Sequence, residues 1–200
     1  MGIDITLFVE ERVNENQWEL AESPVKNPFF HPDDPECETE TKLIPKVIDL
    51  DRCYSLFAIL ANVRNGSHAE GEFNFISEPK GIPQDISVIG NHFYQSFGDA
   101  SENASWLTSA EIEKFNWSQL IQREACVVPE VAHLFRKNPL GFPFKDWPKH
   151  IPVSYSSFMK DGKLVRWRET YAQAAEYELF KEQLLSFWNA DRYRYVFWFS

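Results

Sequence analysis

From Ile3 to Val13 the chain alternates with period two: Ile3, Ile5, Leu7 and Val9 share one face, and Asp4, Thr6, Phe8 and Glu10 the other. Alternation on this scale with β-branched side chains predicts a strand. Asn14-Glu15-Asn16 predicts a turn and Gln17 to Leu20 a returning strand, so the chain opens as a hairpin. The far end has the same period. Tyr193, Tyr195, Phe197 and Phe199 alternate with Arg192, Arg194, Val196 and Trp198. Its last residues are apolar on both faces, as a central strand covered on both sides requires. Both ends therefore read as strands of one sheet.

Between them the period changes. Cys53, Leu56, Phe57, Leu60 and Val63 recur at helical spacing and predict a helix over 51–64, capped by Asp49 or Asp51 and stopped at Asn65-Gly66. Asp85 and Ser87 predict the cap of a short helix ending near Gly90. Thr108-Ser109-Ala110-Glu111 spells a capping box, with Leu107 and Ile112 at staple positions. From Glu169 to Trp188, Ala174, Tyr177, Phe180, Leu184 and Phe187 hold one face of a long final helix. Phe73 to Ile76 reads as a brief strand and Gly98 to Asn103 as a polar loop. Prolines break residues 21–46 and 129–162 into irregular insertions, the first carrying a solvated acidic run over 33–40. The expected fold is α+β: a single domain over 1–200, a mainly antiparallel sheet containing both termini, about three helices packed on it, and long irregular Pro-rich insertions.

Composition narrows the function classes. A hydrophobic share of 44% excludes global disorder. The balance of 30 acidic against 20 basic residues, net −10, disfavours generic nucleic-acid binding, which needs clustered cations. Three cysteines at 37, 53 and 126 give no zinc spacing, so no metal or other cofactor is expected and a reducing compartment fits. With no secretory signal and no apolar run near the length of a span, the expectation is a cytoplasmic chain with no membrane partner.

Walker, GxGxxG, GxSxG, HExxH, paired CxxC and HxH motifs are absent, and the five histidines stand apart. Three weaker constellations remain. Asn62-Val63-Arg64-Asn65 reads either as a capped helix end or as a holder of phosphate or carboxylate. Gly81 to Ser87 is either an ordinary turn and cap or a close backbone approach to a ligand, with Asp85 accepting from its hydroxyls. Ser101 to Trp106 precedes a helix start that offers N–H groups to an anion and an indole to a ring, although Thr108 and Glu111 already satisfy those donors. Asp4 and Glu10 share a strand face but lie about 20 Å apart. Each needs another partner, such as Arg192 or Arg194, and a cross-strand ion pair is the plain alternative.

MGIDITLFVE, RCYSLFAILANVRN, PKGIPQDIS, SWLTSAE and RYVFWF together resemble a set of uncharacterised bacteriophage and bacterial proteins. The resemblance spans nearly the whole chain in five short blocks. It implies a phage or mobile-element setting and action on a host process such as defence signalling; it transfers no site residues. Where it leads one to expect histidines before SWLT, this chain has Glu102-Asn103-Ala104, which speaks against metal or histidine chemistry there. The leading expectation is a protein binding a small, nucleotide-like anion through Asn62, Arg64, Asp85, Trp106, Arg192 and Arg194. The alternatives are a hydrolase acting on a nucleotide or glycosidic substrate through Asp4, Asp85, His92 or Asp99, and an acidic inhibitor whose partner is a host protein. Oligomeric state is left open.

Overall fold

The computed structural model describes residues 2–15, 17–31, 33, 42–66, 71–137 and 140–200. The acidic run over 34–40, Cys37 and His68 lie outside them. The fold is α+β with mostly antiparallel sheets, and the chain divides into two compact units: 1–52 with 76–115 and 180–200, and 53–75 with 116–179.

The first unit is organised by a four-stranded antiparallel sheet. Strands β1 (Ile5–Asn14) and β2 (Gln17–Leu20) form the opening hairpin, and the order is β2-β1-β8-β5, with β5 spanning Glu102–Leu107 and β8 Tyr193–Phe199. As the pattern at both ends predicts, β1 and β8 lie side by side, with Leu7 opposite Phe197 and Glu10 opposite Arg194. From Arg194 to Phe199 every residue of β8 is buried, as a central strand should be. A short ribbon, β3 (Val25–Lys26) with β4 (Leu43–Ile44), belongs to the same unit.

One sheet face carries Phe8, Val196, Trp198 and Ala104, which cluster with Phe93. Phe93 comes from helix α2 (Val88–Gln95). Four rings, Phe8, Phe93, Tyr94 and Phe97, meet Trp198 edge-on at centroid distances of 5.1–6.1 Å, the arrangement ring quadrupoles favour. Helix α2 begins where the sequence suggested an end: Ser87 is its cap, accepting from the Gly90 N–H. Gly90 lies in the first turn because a Cβ there would stand 2.9 Å from Phe8 Cζ. The Thr108 capping box is present and opens α3 (Ser109–Lys114).

One expectation fails in this unit, and another along the final helix, whose start belongs to the second unit. Residues 98–103 are not a loop throughout; after a single 3-10 turn over Gly98–Ala100 the chain enters β5 at Glu102. Polar Glu102, Asn103 and Ser105 masked that strand, yet Ser105 is fully buried and pairs with Phe197. The final helix is also broken. Thr170 and Gln173 form a second capping box that starts α5 (Tyr171–Ala174), and Glu176, at φ 51°, interrupts it before α6 (Tyr177–Gln183). Left-handed backbone at a non-glycine residue ends a helical run.

The second unit holds α1 (Tyr54–Ala61) and a ribbon of β6 (Leu120–Val127) and β7 (Lys163–Thr170). All residues from Ser55 to Ala61 are buried, so α1 is covered all round instead of showing the single stripe its spacing implied. No aspartate caps it: Cys53 stands at its start without a capping side-chain bond, its thiol donating instead to the Ala174 carbonyl at 3.7 Å, and Asn62, at φ 57°, closes its end. Phe73 is buried in irregular chain, not a strand. Neither β6 nor β7 was anticipated, because their outward positions carry Gln122, Glu124, Arg166 and Arg168. Val127, Phe135, Trp147, Val165 and Trp167 form the core beneath, with Phe142 against them. The stretch 129–162 contributes a helix, α4 (Leu134–Lys137), and two 3-10 turns. The described residues thus contain six α-helical segments where about three were expected. None is long and apolar enough to cross a membrane.

Candidate functional site

In the first unit, register does the assembling. Glu10 and Arg194 face each other across β1 and β8, and Arg194 Nε donates to Glu10 Oε2 at 2.8 Å. Glu10 is 0% exposed and Arg194 2%, so both charges have left water. Such a pair persists only when its remaining hydrogen-bonding capacity is filled. It is filled from the turn before α2: Glu10 Oε1 accepts the Ser87 N–H at 2.7 Å, and Arg194 donates to the Asp85 carboxylate at 2.6 Å and its carbonyl at 3.0 Å. The guanidinium also lies over two indoles, 4.2 Å from the Trp18 centroid and 5.8 Å from that of Trp106. Arg12 stands over Trp18 at 4.9 Å and Lys80 over Trp106 at 4.4 Å. Cations and indoles thus alternate from Arg12 to Lys80.

A cleft of about 710 Å³ opens beside this cluster, walled by Gln17–Pro24 and Asp85–Ile89. Its charged lining residues are Glu19, Glu22 and Asp85. The arginine beside it is already neutralised by two carboxylates, so the chemistry here does not favour an anion.

Of the residues singled out from sequence, the structure brings Asp85, Trp106 and Arg194 together. Arg192 instead pairs with Glu11, with Nε 2.6 Å from Oε1. That contact raises the Arg192 pKa: the hydrogen bond comes first, the Glu11 charge second. Asp4 receives a bidentate pair from Arg52 at 2.7 Å on the surface. His92 is half-buried within α2, and Asp99 lies exposed in the 3-10 turn. Asn62 and Arg64 belong to the second unit. There the Asn65 amide donates to Asn62 Oδ1 and to the Phe73 carbonyl, while accepting the Phe73 N–H at 2.7 Å. This ties Asn65 to Asn62 and to Phe73, and Arg64 rests 5.9 Å over Tyr54. Among the described residues, no group of three or more His, Cys, Asp or Glu is placed to hold a metal.

The second unit contains a feature the sequence did not reveal. A cleft of about 510 Å³ is lined by Pro129, Ala132, His133, Phe135, Arg136 and Lys163–Arg166. Four of these are basic and none acidic. Helix α4 supplies Arg136 and β7 supplies Lys163 and Arg166, so the cations converge across about thirty residues of chain that reads as irregular. His133 Nδ1 sits 2.9 Å from the Glu130 carbonyl. A carbonyl only accepts, so Nδ1 carries the hydrogen and Nε2 is the nitrogen left for a ligand. Arg166 Nε donates to Glu124 at 3.0 Å, but both side chains are largely in solvent, where such a pair holds weakly.

Elsewhere in this unit Arg123 is buried and donates to Glu169 at 3.0 Å and to Ser55 at 3.3 Å, a structural pair over Trp167. No family model matches the chain, and neither does any curated protein or solved structure.

Proposed function

We propose that this is a binding protein for a small anionic molecule bearing phosphate or carboxylate, seated in the cleft between α4 and β7. The carrying observation is the convergence of His133, Arg136, Lys163 and Arg166 on one cleft with no acidic lining residue, in a chain of net charge −10. The overall negative field does not forbid binding, since charges more than about 8 Å apart are largely screened at physiological salt, whereas contacts within the cleft are not. Two guanidinium groups suit planar, bidentate capture of phosphate or carboxylate oxygens, and Lys163 adds a point charge. A cleft of this size lies within the range of small-ligand sites. The action on a host process implied by the sequence resemblance, defence signalling included, fits capture of a nucleotide-like signal.

Titration calorimetry against inorganic phosphate, a nucleoside monophosphate and a tricarboxylate tests the reading. At least one should bind. Arg136→Glu with Lys163→Glu should weaken it by on the order of a hundredfold, two lost charge-assisted contacts of about 1.5–3 kcal/mol each being enough for that. If none binds, or the double variant binds as the parent does, the proposal fails.

A further inference from the structure

We propose that the open edge of β2 receives an extended basic polypeptide segment as an added strand. The two edges of the sheet are treated differently. At the β5 edge the turn over Lys80-Gly81 covers the strand: the Gly81 N–H donates to the Ala104 carbonyl at 2.9 Å and the Lys80 N–H to Ser105 Oγ at 3.2 Å. At the other edge, β2 is the terminal strand, and no other described strand pairs with its outer side.

Antiparallel geometry says which groups point outward. The Ala21 N–H donates to the Val9 carbonyl at 3.0 Å, and the register sets Glu19 against Glu11 and Leu20 against Glu10. Residues along a strand direct their backbone groups to alternate sides. Ala21 and Glu19 therefore bond inward to β1, and Trp18 and Leu20 turn their N–H and C=O outward. An exposed row of this kind is a template for another strand.

This edge forms one wall of the 710 Å³ cleft, with Asp85–Ile89 opposite it. An added chain would therefore be held between two walls. The lining settles the occupant's chemistry. Glu19, Glu22 and Asp85 are its charged residues, with no Lys, Arg or His among them. Glu22 is paired with Lys46 at 2.7 Å and Asp85 shares Arg194 with Glu10, so the wall keeps a net negative charge centred on Glu19 and Asp85. Leu20, Ile86 and Val88 offer apolar contact, Val88 being 71% exposed. An extended segment alternating basic and apolar side chains complements both. An anionic ligand is disfavoured here, so this site is separate from, and independent of, the anion cleft of the second unit.

The test uses the ¹⁵N-labelled full chain and three blocked octapeptides: alternating Lys-Val, alternating Glu-Val, and Lys-Val N-methylated at every second residue. The Lys-Val peptide should shift the Trp18 and Leu20 amide resonances and slow their hydrogen exchange at least tenfold at saturation. The Glu-Val peptide should not bind, and N-methylation should abolish binding by removing the strand's donors. Glu19→Lys, at an exposed position, should weaken the Lys-Val peptide about tenfold. The proposal is overturned if Lys-Val leaves the 17–22 amides unmoved. It is equally overturned if the N-methylated peptide binds as well, since charge alone would then explain the contact.

Discussion

Replacing Arg194 by methionine strands Glu10, and the cost can be worked from the geometry. Arg194 makes three hydrogen bonds, one to Glu10 and two to Asp85. Asp85 survives the loss, because its side chain is 47% exposed and water can replace the guanidinium. Glu10 has no such recourse: it is 0% exposed, and beside Arg194 its other carboxylate oxygen accepts the Ser87 N–H. An uncompensated buried charge of this kind costs about 3–5 kcal/mol. That is a third or more of the total stability of many domains, about 5–15 kcal/mol. With a urea m-value of about 2 kcal/mol per molar, the unfolding midpoint should fall by about 1.5–2.5 M. Glu10→Leu alone should also be destabilising, since it leaves the guanidinium and the Ser87 N–H short of a partner. The double variant removes both charges together. It should cost less than the sum of the two single changes by at least about 2 kcal/mol, the coupling expected of groups in direct contact. Urea unfolding of the four proteins, followed by tryptophan fluorescence, gives the cycle. A midpoint for Arg194→Met within about 0.5 M of the parent, or simple additivity in the double variant, would refute the claim that this pair anchors the sheet to the start of α2.

Other expectations test separate parts of the structure. Gly90→Ala would gain about 1 kcal/mol of helix propensity, but its Cβ would press on Ser87 Oγ at 2.8 Å and on the packed Phe8 ring at 2.9 Å. Overpacking costs about 1–3 kcal/mol, so the variant should be destabilised, and a raised melting temperature would contradict the packing described. Burial pushes the Glu111 carboxyl upward, but hydrogen bonds from Lys80 and from the Thr108 N–H, together with the Lys80 charge, outweigh it and leave the group below its ordinary 4.5. A depressed folded pKa stabilises the fold above the unfolded value, and that contribution is lost as pH falls through the folded value. Lys80→Met should therefore narrow the stability gap between neutral pH and pH 3, as read by melting across pH; an unchanged gap would show that the pair contributes nothing. Thr170→Ala removes a cap that accepts the Gln173 N–H and should cost about 1 kcal/mol in a denaturant melt.

The elements legible in the sequence were those whose pattern and environment agree. β1 and β8 are both interior strands, and their apolar residues run where the sheet buries them, while the Thr108 capping box is a local device that needs no tertiary context. β5, β6 and β7 were hidden because their polar residues are locally helix-like or loop-like while tertiary pairing makes them strands. Arg123 shows this best. It is 4% exposed on β6, and its burial depends on Glu169 of β7 and Ser55 of α1, partners separated by 46 and 68 positions. The final helix looked continuous because its apolar spacing is continuous; the left-handed Glu176 breaks it without a glycine or proline to announce the break.

The candidate sites divide in the same way. A pairing of Glu10 with Arg192 or Arg194 follows from placing the two strands in one sheet; Arg194, expected to hold an anion, is instead taken up by Glu10 and Asp85. Asp85 joins them only because the turn before α2 returns to the sheet, which no local pattern encodes. The basic cleft was not legible, since His133 and Arg136 lie about thirty positions from Lys163 and Arg166 in a stretch without strong periodicity.

The most direct measurement of the central claim is an amide chemical-shift titration of the labelled protein with a nucleoside monophosphate and with inorganic phosphate. Saturable shifts confined to 129–136 and 163–166, weakening as salt is raised, are the predicted result. Saturable shifts that map to the Trp18–Asp85 cleft, or the absence of any saturable shift with either anion, would contradict it.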